Sequence, residues 1–233
     1  MQKFTYALLA ASVLAAATPA LAADLPSPVA PKAIPAAPIT TTIGLEVGPD
    51  FTADPNNANY GHLTDSYISA NIGYAFAPGW SVGGSFKNTA KAGTAGSGLF
   101  SQLVTGSLGY KFKLTDNLSL TTTGTLGYVF GNTGYSNNLP NSTGTDAYLY
   151  YQIAGQVDFK VTPQWTWNAL NVTYKNAFAF YMSSPSVATG LTYAIDAHNS
   201  VYTKVSYGWK DVNNGAGYIP TTTTVAFGYK YGF

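Results

Sequence analysis

Residues 225–233 form the sequence VAFGYKYGF, in which a large apolar or aromatic side chain occupies every second position. The positions between them carry Ala, Gly and one Lys. Because successive side chains of a β-strand point to opposite faces, this alternation predicts a strand with one apolar face and one face of small or polar residues. The apolar face comprises Val225, Phe227, Tyr229, Tyr231 and Phe233, and the opposite face comprises Ala226, Gly228, Lys230 and Gly232.

The same two-residue period recurs upstream, from Ile39 onward, between turn-forming segments. Four of these segments are short, and five are longer and rich in Gly, Asn and Ser. Nine connections predict ten antiparallel strands, and eight strands are the alternative if the irregular region 165–185 is miscounted. The short turns are at 77–79, 115–117, 162–164 and 196–199, and the longer stretches are 54–63, 88–98, 132–146, 175–185 and 211–219.

One segment breaks the alternation. Trp165 and Trp167 share one phase, whereas Leu170 and Val172 fall in the other. A β-bulge inserts one extra residue into a strand and so changes the face on which the later side chains lie. We therefore predict a bulge near Ala169.

The composition indicates what covers the apolar faces. Only 9% of residues are charged, whereas typical soluble domains carry roughly 25%. Aromatic residues make up 15% and concentrate near the predicted strand ends, an arrangement that the two interfaces of a bilayer favour. After the first 22 residues, no apolar run reaches the roughly 20 residues that a spanning helix needs. The sequence predicts an all-β fold, a closed antiparallel transmembrane β-barrel, with a soluble β-sandwich as the less favoured alternative.

Backbone hydrogen bonding requires that such a sheet be closed. An open sheet in hydrocarbon would leave the N–H and C=O groups of its edge strands unpaired, at a cost of several kcal/mol each. We therefore expect the first strand, from Ile39, to pair with the last strand, which ends at Phe233. The barrel domain is predicted to span residues 39–233.

The N-terminal region has the features of an export signal. An uncharged apolar segment follows Lys3 and leads to the small residues ALA at 20–22, the kind of site that a signal peptidase recognises. We predict a Sec signal peptide over residues 1–22, with cleavage after Ala23 as an equal possibility. A Pro/Ala-rich periplasmic leader is predicted over residues 23–38.

The two ends of the chain resemble a known family. The segment FGYKYGF, residues 227–233, is similar to the terminal signal of bacterial outer-membrane barrels. The segment AADLP, residues 22–26, followed by Pro-rich sequence, resembles the leader of small porin-like outer-membrane proteins of alphaproteobacteria. The resemblance implies an outer-membrane address with outer-membrane lipid as a partner. It also implies insertion by the barrel-assembly machinery, which would recognise Tyr229, Tyr231 and Phe233.

The small and polar faces of the strands are predicted to line the barrel interior. A ten-stranded barrel with small inward side chains leaves interior volume, and an excess of inward Lys would favour anions. We therefore expect a narrow, passive, porin-like channel for small polar solutes or ions with a weak anion preference. The predicted pore-lining charges are Glu46, Asp50, Lys87, Lys111, Lys113, Asp158, Lys160, Lys204, Lys210 and Lys230, with Asp196 beside one turn.

Two features of the predicted interior favour a different function. Lys230 and Glu46 lie on strands that closure makes neighbours, so they are candidates for an internal ion pair. Tyr148, Tyr150 and Tyr202 have the inward phase and would obstruct the lumen. A non-conducting structural or surface-interaction barrel is therefore the alternative.

Catalysis is a minor alternative. His62 lies near Asp54 and Asp65 at the predicted extracellular rim, but a general base requires a positioned partner. His198 falls in a predicted periplasmic turn, where a solvated side chain is expected. No catalytic motif, cofactor motif or metal-ligand spacing is visible. Cys and Arg are absent and the net charge is close to zero, so we expect no enzyme activity, no cofactor and no nucleic-acid partner.

Overall fold

The computed structural model describes residues 40–91, 100–131, 147–178, 183–211 and 217–233. The predicted signal peptide and leader lie outside these ranges. Parts of the predicted long connections also lie outside them, namely 92–99, 132–146, 179–182 and 212–216.

Ten antiparallel strands form one closed barrel in the described part of the chain. Each strand pairs with its neighbours in sequence, and the first strand pairs with the last. The prediction of ten strands closed between the two ends of the barrel domain is confirmed. The strands are β1 (Thr41–Thr52), β2 (Leu63–Ala77), β3 (Trp80–Lys91), β4 (Phe100–Lys113), β5 (Leu118–Gly131), β6 (Tyr148–Lys160), β7 (Trp165–Ala177), β8 (Ser184–Ala194), β9 (Asn199–Asp211) and β10 (Tyr218–Gly232).

Several strands extend into sequence that was predicted to be loop. β3 continues to Lys91, which pairs with Asp65 on β2, and β7 continues to Ala177, which pairs with Tyr150 on β6. A strand in a closed barrel has a hydrogen-bonding partner on each side, so the backbone ladder continues through polar residues that carry no alternation signal.

The predicted bulge is present in β7. Val157 on β6 pairs with Leu170, and Asp158 pairs with Asn168, so Ala169 is the extra residue. Because of this insertion, Trp167 and Leu170 both lie on the outer face of the barrel and are exposed there. The bulge therefore keeps the apolar side chains of β7 on one side despite their change of phase.

Large apolar side chains cover the outside of the barrel. Leu126 and Ile153, near the middle of β5 and β6, are 60% and 61% exposed. The inner side of the same strands carries small and polar residues instead, such as the half-buried Thr125 and Gln152. This distribution is the inverse of that in a water-soluble fold. Among the described residues, no helix is long and apolar enough to cross a membrane.

Three short turns each begin with a side chain that caps the turn's own backbone. Thr115, Thr162 and Asp196 accept hydrogen bonds from the backbone N–H groups two and three residues further on, at 2.8 to 3.3 Å. Local bonds of this kind favour tight turns. The donors to Asp196, the N–H groups of His198 and Asn199, hold the pKa of that carboxyl below its usual value. Asp196 is thus an exposed turn residue and not the interior charge that its phase had predicted.

Candidate functional site

The carboxylate of Glu46 on β1 is the centre of a hydrogen-bonded cluster in the lumen. Tyr67 on β2 donates its hydroxyl to Oε1 at 2.7 Å, and Tyr202 on β9 donates to Oε2 at 2.8 Å. Lys204, also on β9, lies 3.2 and 3.1 Å from the two oxygens. We call these four residues the Glu46 cluster. Both carboxylate oxygens have charged and neutral donors, an arrangement that satisfies a charge held away from bulk water.

Glycines on the small face let the two tyrosines reach Glu46. In the register of the sheet, Gly228 on β10 lies between Glu46 and Tyr202. A Cβ atom added at Gly228 would overlap the Tyr202 ring. Similarly, a Cβ at Gly48 would lie 2.9 Å from the ring of Tyr67. Gly228 and Gly48 therefore provide the space in which the rings of Tyr202 and Tyr67 pack.

Gly228→Ala is expected to lower the free energy of unfolding of the barrel by about 1–3 kcal/mol, the usual cost of forcing extra volume into a packed site. The new methyl group displaces the Tyr202 ring and breaks its hydrogen bond to Glu46. The measurement is the urea midpoint in lipid vesicles, followed by tryptophan fluorescence.

Gly124→Ala is the matched control for this substitution. Gly124 also lies within a strand, but a Cβ atom there meets no other atom within 4 Å. We expect its urea midpoint to stay close to that of the unaltered barrel. Equal losses in the two variants would contradict the packing role of Gly228.

Three inward lysines lie over tyrosine rings and not beside carboxylates. In the described part of the chain, the ion pairs are Lys204–Glu46 and Lys113–Asp116, so none of the three has a carboxylate oxygen within 4 Å. An ammonium over an aromatic face gains about 0.5–2 kcal/mol, depending on how far it is desolvated. The distances from Nζ to ring centroid are 3.6 Å for Lys87–Tyr67, 4.5 Å for Lys175–Tyr150 and 4.9 Å for Lys230–Tyr202.

The suggested ion pair between Lys230 and Glu46 does not form. Lys230 stands opposite Gly44 in the β1–β10 ladder, two residues from Glu46. Its ammonium lies over the ring of Tyr202, and the Glu46 carboxylate pairs with Lys204 instead. Closure makes β1 and β10 neighbours, as predicted, but the register brings a residue of β9 to Glu46.

A second polar network lies on the wall formed by β6, β7 and β8. Asp158 accepts hydrogen bonds from Gln156 and Asn168, both at 2.7 Å. Asn171 donates to Gln156 at 3.0 Å, and Thr192 donates to Asn168 at 3.1 Å. The bulge at position 169 is the reason why Asn168 and Asn171, three residues apart, both reach the interior. We call this group the amide wall.

The other predicted pore-lining charges lie away from these clusters. Asp50 accepts a hydrogen bond from Thr224 on β10. Lys111, Lys160 and Lys210 are exposed near the ends of their strands. Lys113 pairs with Asp116 in the β4–β5 turn at 2.8 Å, with 71% of its side chain exposed. That the predicted set lines a conducting pore stays a prediction.

Sequence reasoning missed Tyr67, Lys175 and the asparagines of the amide wall. Tyr67 precedes Ile68 directly, so two large side chains occupy adjacent positions, and the alternation that starts at Ile68 assigns Tyr67 to the inside. Lys175 lies within a stretch that was predicted to be a loop. If the alternation of inward and outward side chains in β7 had been continued beyond Tyr174, Lys175 would have been assigned to the lumen.

The rim around His62 contains no assembled acid–base pair within the described ranges. Asp54 accepts a hydrogen bond from the backbone N–H of Asn56 at 2.9 Å, and Asp65 pairs with Asp50 in the β1–β2 ladder. No hydrogen bond or ion pair joins the ring of His62 to either carboxylate. Across the described residues, no group of three or more His, Cys, Asp or Glu side chains is arranged to hold a metal ion.

His198 is tied to the last strand of the barrel. Its Nδ1 lies 2.7 Å from the carbonyl oxygen of Gly232, and its ring stacks on Tyr231 at 6.0 Å between centroids. The sequence predicted a solvated turn residue. The structure shows both the turn and the exposed side chain. It also shows the contact with β10, which depends on the register of the strands and was not predicted from the sequence.

No family model matches this chain, and no curated protein matches it. Among solved structures, it is similar to the beta domain of the Bordetella autotransporter BrkA, with 10% identity, a TM-score of 0.49, and coverage of 84% of this chain and 99% of that one. It is also similar to an outer membrane channel from Pseudomonas putida F1, with 10% identity, a TM-score of 0.48, and coverage of 88% and 100%. A third is Neisserial surface protein A, with 9% identity, a TM-score of 0.41, and coverage of 83% and 97%.

Proposed function

We propose that this chain is an outer-membrane barrel whose lumen is a narrow, passive channel for small polar solutes or ions, with a weak preference for anions. The observation that carries the proposal is the inversion of the fold, with apolar side chains outside and charged side chains inside. Water would not tolerate so continuous an apolar exterior, whereas the lipid of a bilayer would cover it.

The exterior supports the membrane part of the proposal. Exposed aromatic side chains occur near the short turns, as with Phe76, Trp80 and Trp165, and near the opposite ends of the strands, as with Tyr128. Between them lie aliphatic residues such as Leu126. Aromatic rings are favoured at the two headgroup levels and aliphatic residues between them.

The interior supports the channel part of the proposal. Lys87, Lys175 and Lys230 carry charge into the lumen without a carboxylate in ion-pair contact. Lysines in a pore raise the local concentration of anions, because pore-lining charge sets the field that an ion meets. The rings of Tyr67, Tyr150 and Tyr202 lie under these ammonium groups on the inner face, which favours a narrow passage.

The route to the membrane belongs to the same proposal. We expect Sec-dependent export, followed by insertion through the barrel-assembly machinery acting on the last strand. Tyr229 and Phe233, two residues of the proposed recognition signal, are exposed on the outer face of that strand, where another protein is able to contact them.

Single-channel recording in a planar bilayer tests the channel. Discrete conductance steps are expected, with a reversal potential in a KCl gradient that indicates anion preference. A silent bilayer, with protein shown to be folded by heat-modifiable gel mobility, would support the non-conducting structural barrel instead.

The combined variant Lys111→Glu, Lys160→Glu and Lys230→Glu is expected to change the sign of the reversal potential. The three substitutions replace three positive charges with three negative charges along the proposed pathway, and none of them removes the Lys204–Glu46 pair. A reversal potential unchanged from that of the unaltered channel would show that these lysines do not face the conducting path.

A further inference from the structure

Lys87 and Lys175 face each other across the lumen. Lys87 is on β3 and Lys175 is on β7, two strands that are separated by three strands on one side of the barrel and by five on the other. Lys87 lies four residues before the end of β3 at Lys91, and Lys175 lies two residues before the end of β7 at Ala177, both on the side of the barrel opposite the short turns. Each ammonium lies over a tyrosine ring on the inner face. The opposite walls of the barrel therefore bring two positive charges to one region of its interior.

Neither ammonium has a hydrogen-bond acceptor within the described residues. Each carries three donor hydrogens, and neither is among the groups paired with a carboxylate. At longer range, Lys87 is attracted by carboxylates, among them Asp50, and repelled by Lys204. Lys175 is repelled by Lys87. Like charges facing each other in a partly desolvated site favour the binding of an anion between them.

Both lysines are held in place by rings that are themselves fixed. Tyr67, under Lys87, donates its hydroxyl to Glu46. Tyr150, under Lys175, is only 2% exposed and packs against the wall at Gly127, where an added Cβ atom would overlap the ring. The two ammonium groups are thus pre-positioned, which reduces the ordering cost of binding a ligand.

We propose that Lys87 and Lys175 bind a small soluble oxyanion, a carboxylate or a phosphate, between the opposite walls of the lumen. Several oxygens on one ligand satisfy donors from both lysines, which a single chloride ion does less completely. Lysine is a compact point charge without the fixed fork of arginine, so the site accepts oxyanions of different shapes. This inference rests on the proposed function, because it identifies the class of solute that the channel prefers.

The test is calorimetric titration of the refolded full-length barrel in detergent, with inorganic phosphate and with succinate as probes. Saturable binding of at least one probe is expected. Lys175→Met should weaken that binding by about tenfold or more, because a hydrogen bond to a charged group contributes on the order of a factor of ten or above. Lys113→Met, which removes an exposed lysine at a turn, is the matched control and should bind as the unaltered barrel does.

Two further results separate this site from the channel itself. Phosphate or succinate binding in a barrel that conducts no ions would overturn the channel and leave the site. Ion conduction without saturable binding of either probe, or equal affinity in Lys175→Met, would overturn the site and leave the channel. If Lys175→Met does not fold, Lys87→Met provides the same comparison from the opposite wall.

Discussion

Leu126→Arg is expected to lower the free energy of unfolding in lipid by about 2–4 kcal/mol, the cost of an arginine near the middle of the apolar belt of a barrel. Leu126 is 60% exposed on the outer face of β5 and pairs with Gly106 and Tyr151 on the flanking strands. A guanidinium at this position has no water and no carboxylate within the proposed hydrocarbon layer. The measurement is equilibrium unfolding by guanidinium chloride in lipid vesicles.

Leu114→Arg is the control that isolates the membrane. Leu114 is equally an exposed leucine, but it lies at the β4–β5 turn, where the same substitution should cost about 0–1 kcal/mol. A larger loss of unfolding free energy at Leu126 than at Leu114 would show that an apolar layer covers the middle of the barrel but not the turn. Equal costs at both sites, or a purified barrel that stays monodisperse in buffer without detergent, would refute the membrane assignment.

Glu46→Met is expected to cost about 2–4 kcal/mol of folding free energy. The substitution leaves Lys204 without its carboxylate and removes the acceptor of the Tyr67 and Tyr202 hydroxyls. Breaking a buried ion pair from one side typically costs about 3–5 kcal/mol, and the value is discounted here because 37% of the Lys204 side chain is exposed, against 15% for Glu46. Urea unfolding in vesicles gives the value.

The double variant Glu46→Met with Lys204→Met determines how much of that loss belongs to the ion pair. Removing both charges should recover part of the stability, with a coupling energy of about 0.5–3 kcal/mol between the two sites. Additive losses would mean that Lys204 does not depend on Glu46. The hydrogen bonds of the tyrosines would then account for the whole effect.

The alternation of large and small residues was sufficient to predict the strands and their closure. In VAFGYKYGF the period of two is uninterrupted, and the same period recurs often enough to give ten strands. The bulge at Ala169 was also predictable, because a change of phase between Trp167 and Leu170 has few other causes. These features depend on residues close together in sequence.

The organisation of the lumen was not predictable in the same way. Alternation assigns a residue to a face, but not to a height along the barrel. Glu46 and Lys204 are separated by 158 positions in sequence, and only the register of β1, β10 and β9 brings them together. Lys175 was missed for a related reason. The residues around it are polar and do not alternate clearly, so the sequence predicted a loop, whereas in the barrel they pair with the backbone of β6.

The ladder between β1 and β10 has a consequence for how the chain folds. It pairs Thr42 with Gly232, so its hydrogen bonds join segments at the two extremes of the domain. Topologies dominated by such distant contacts fold slowly, because the entropy of loop closure must be overcome before those contacts form. Until the β1–β10 ladder is complete, both edge strands remain open templates for aggregation.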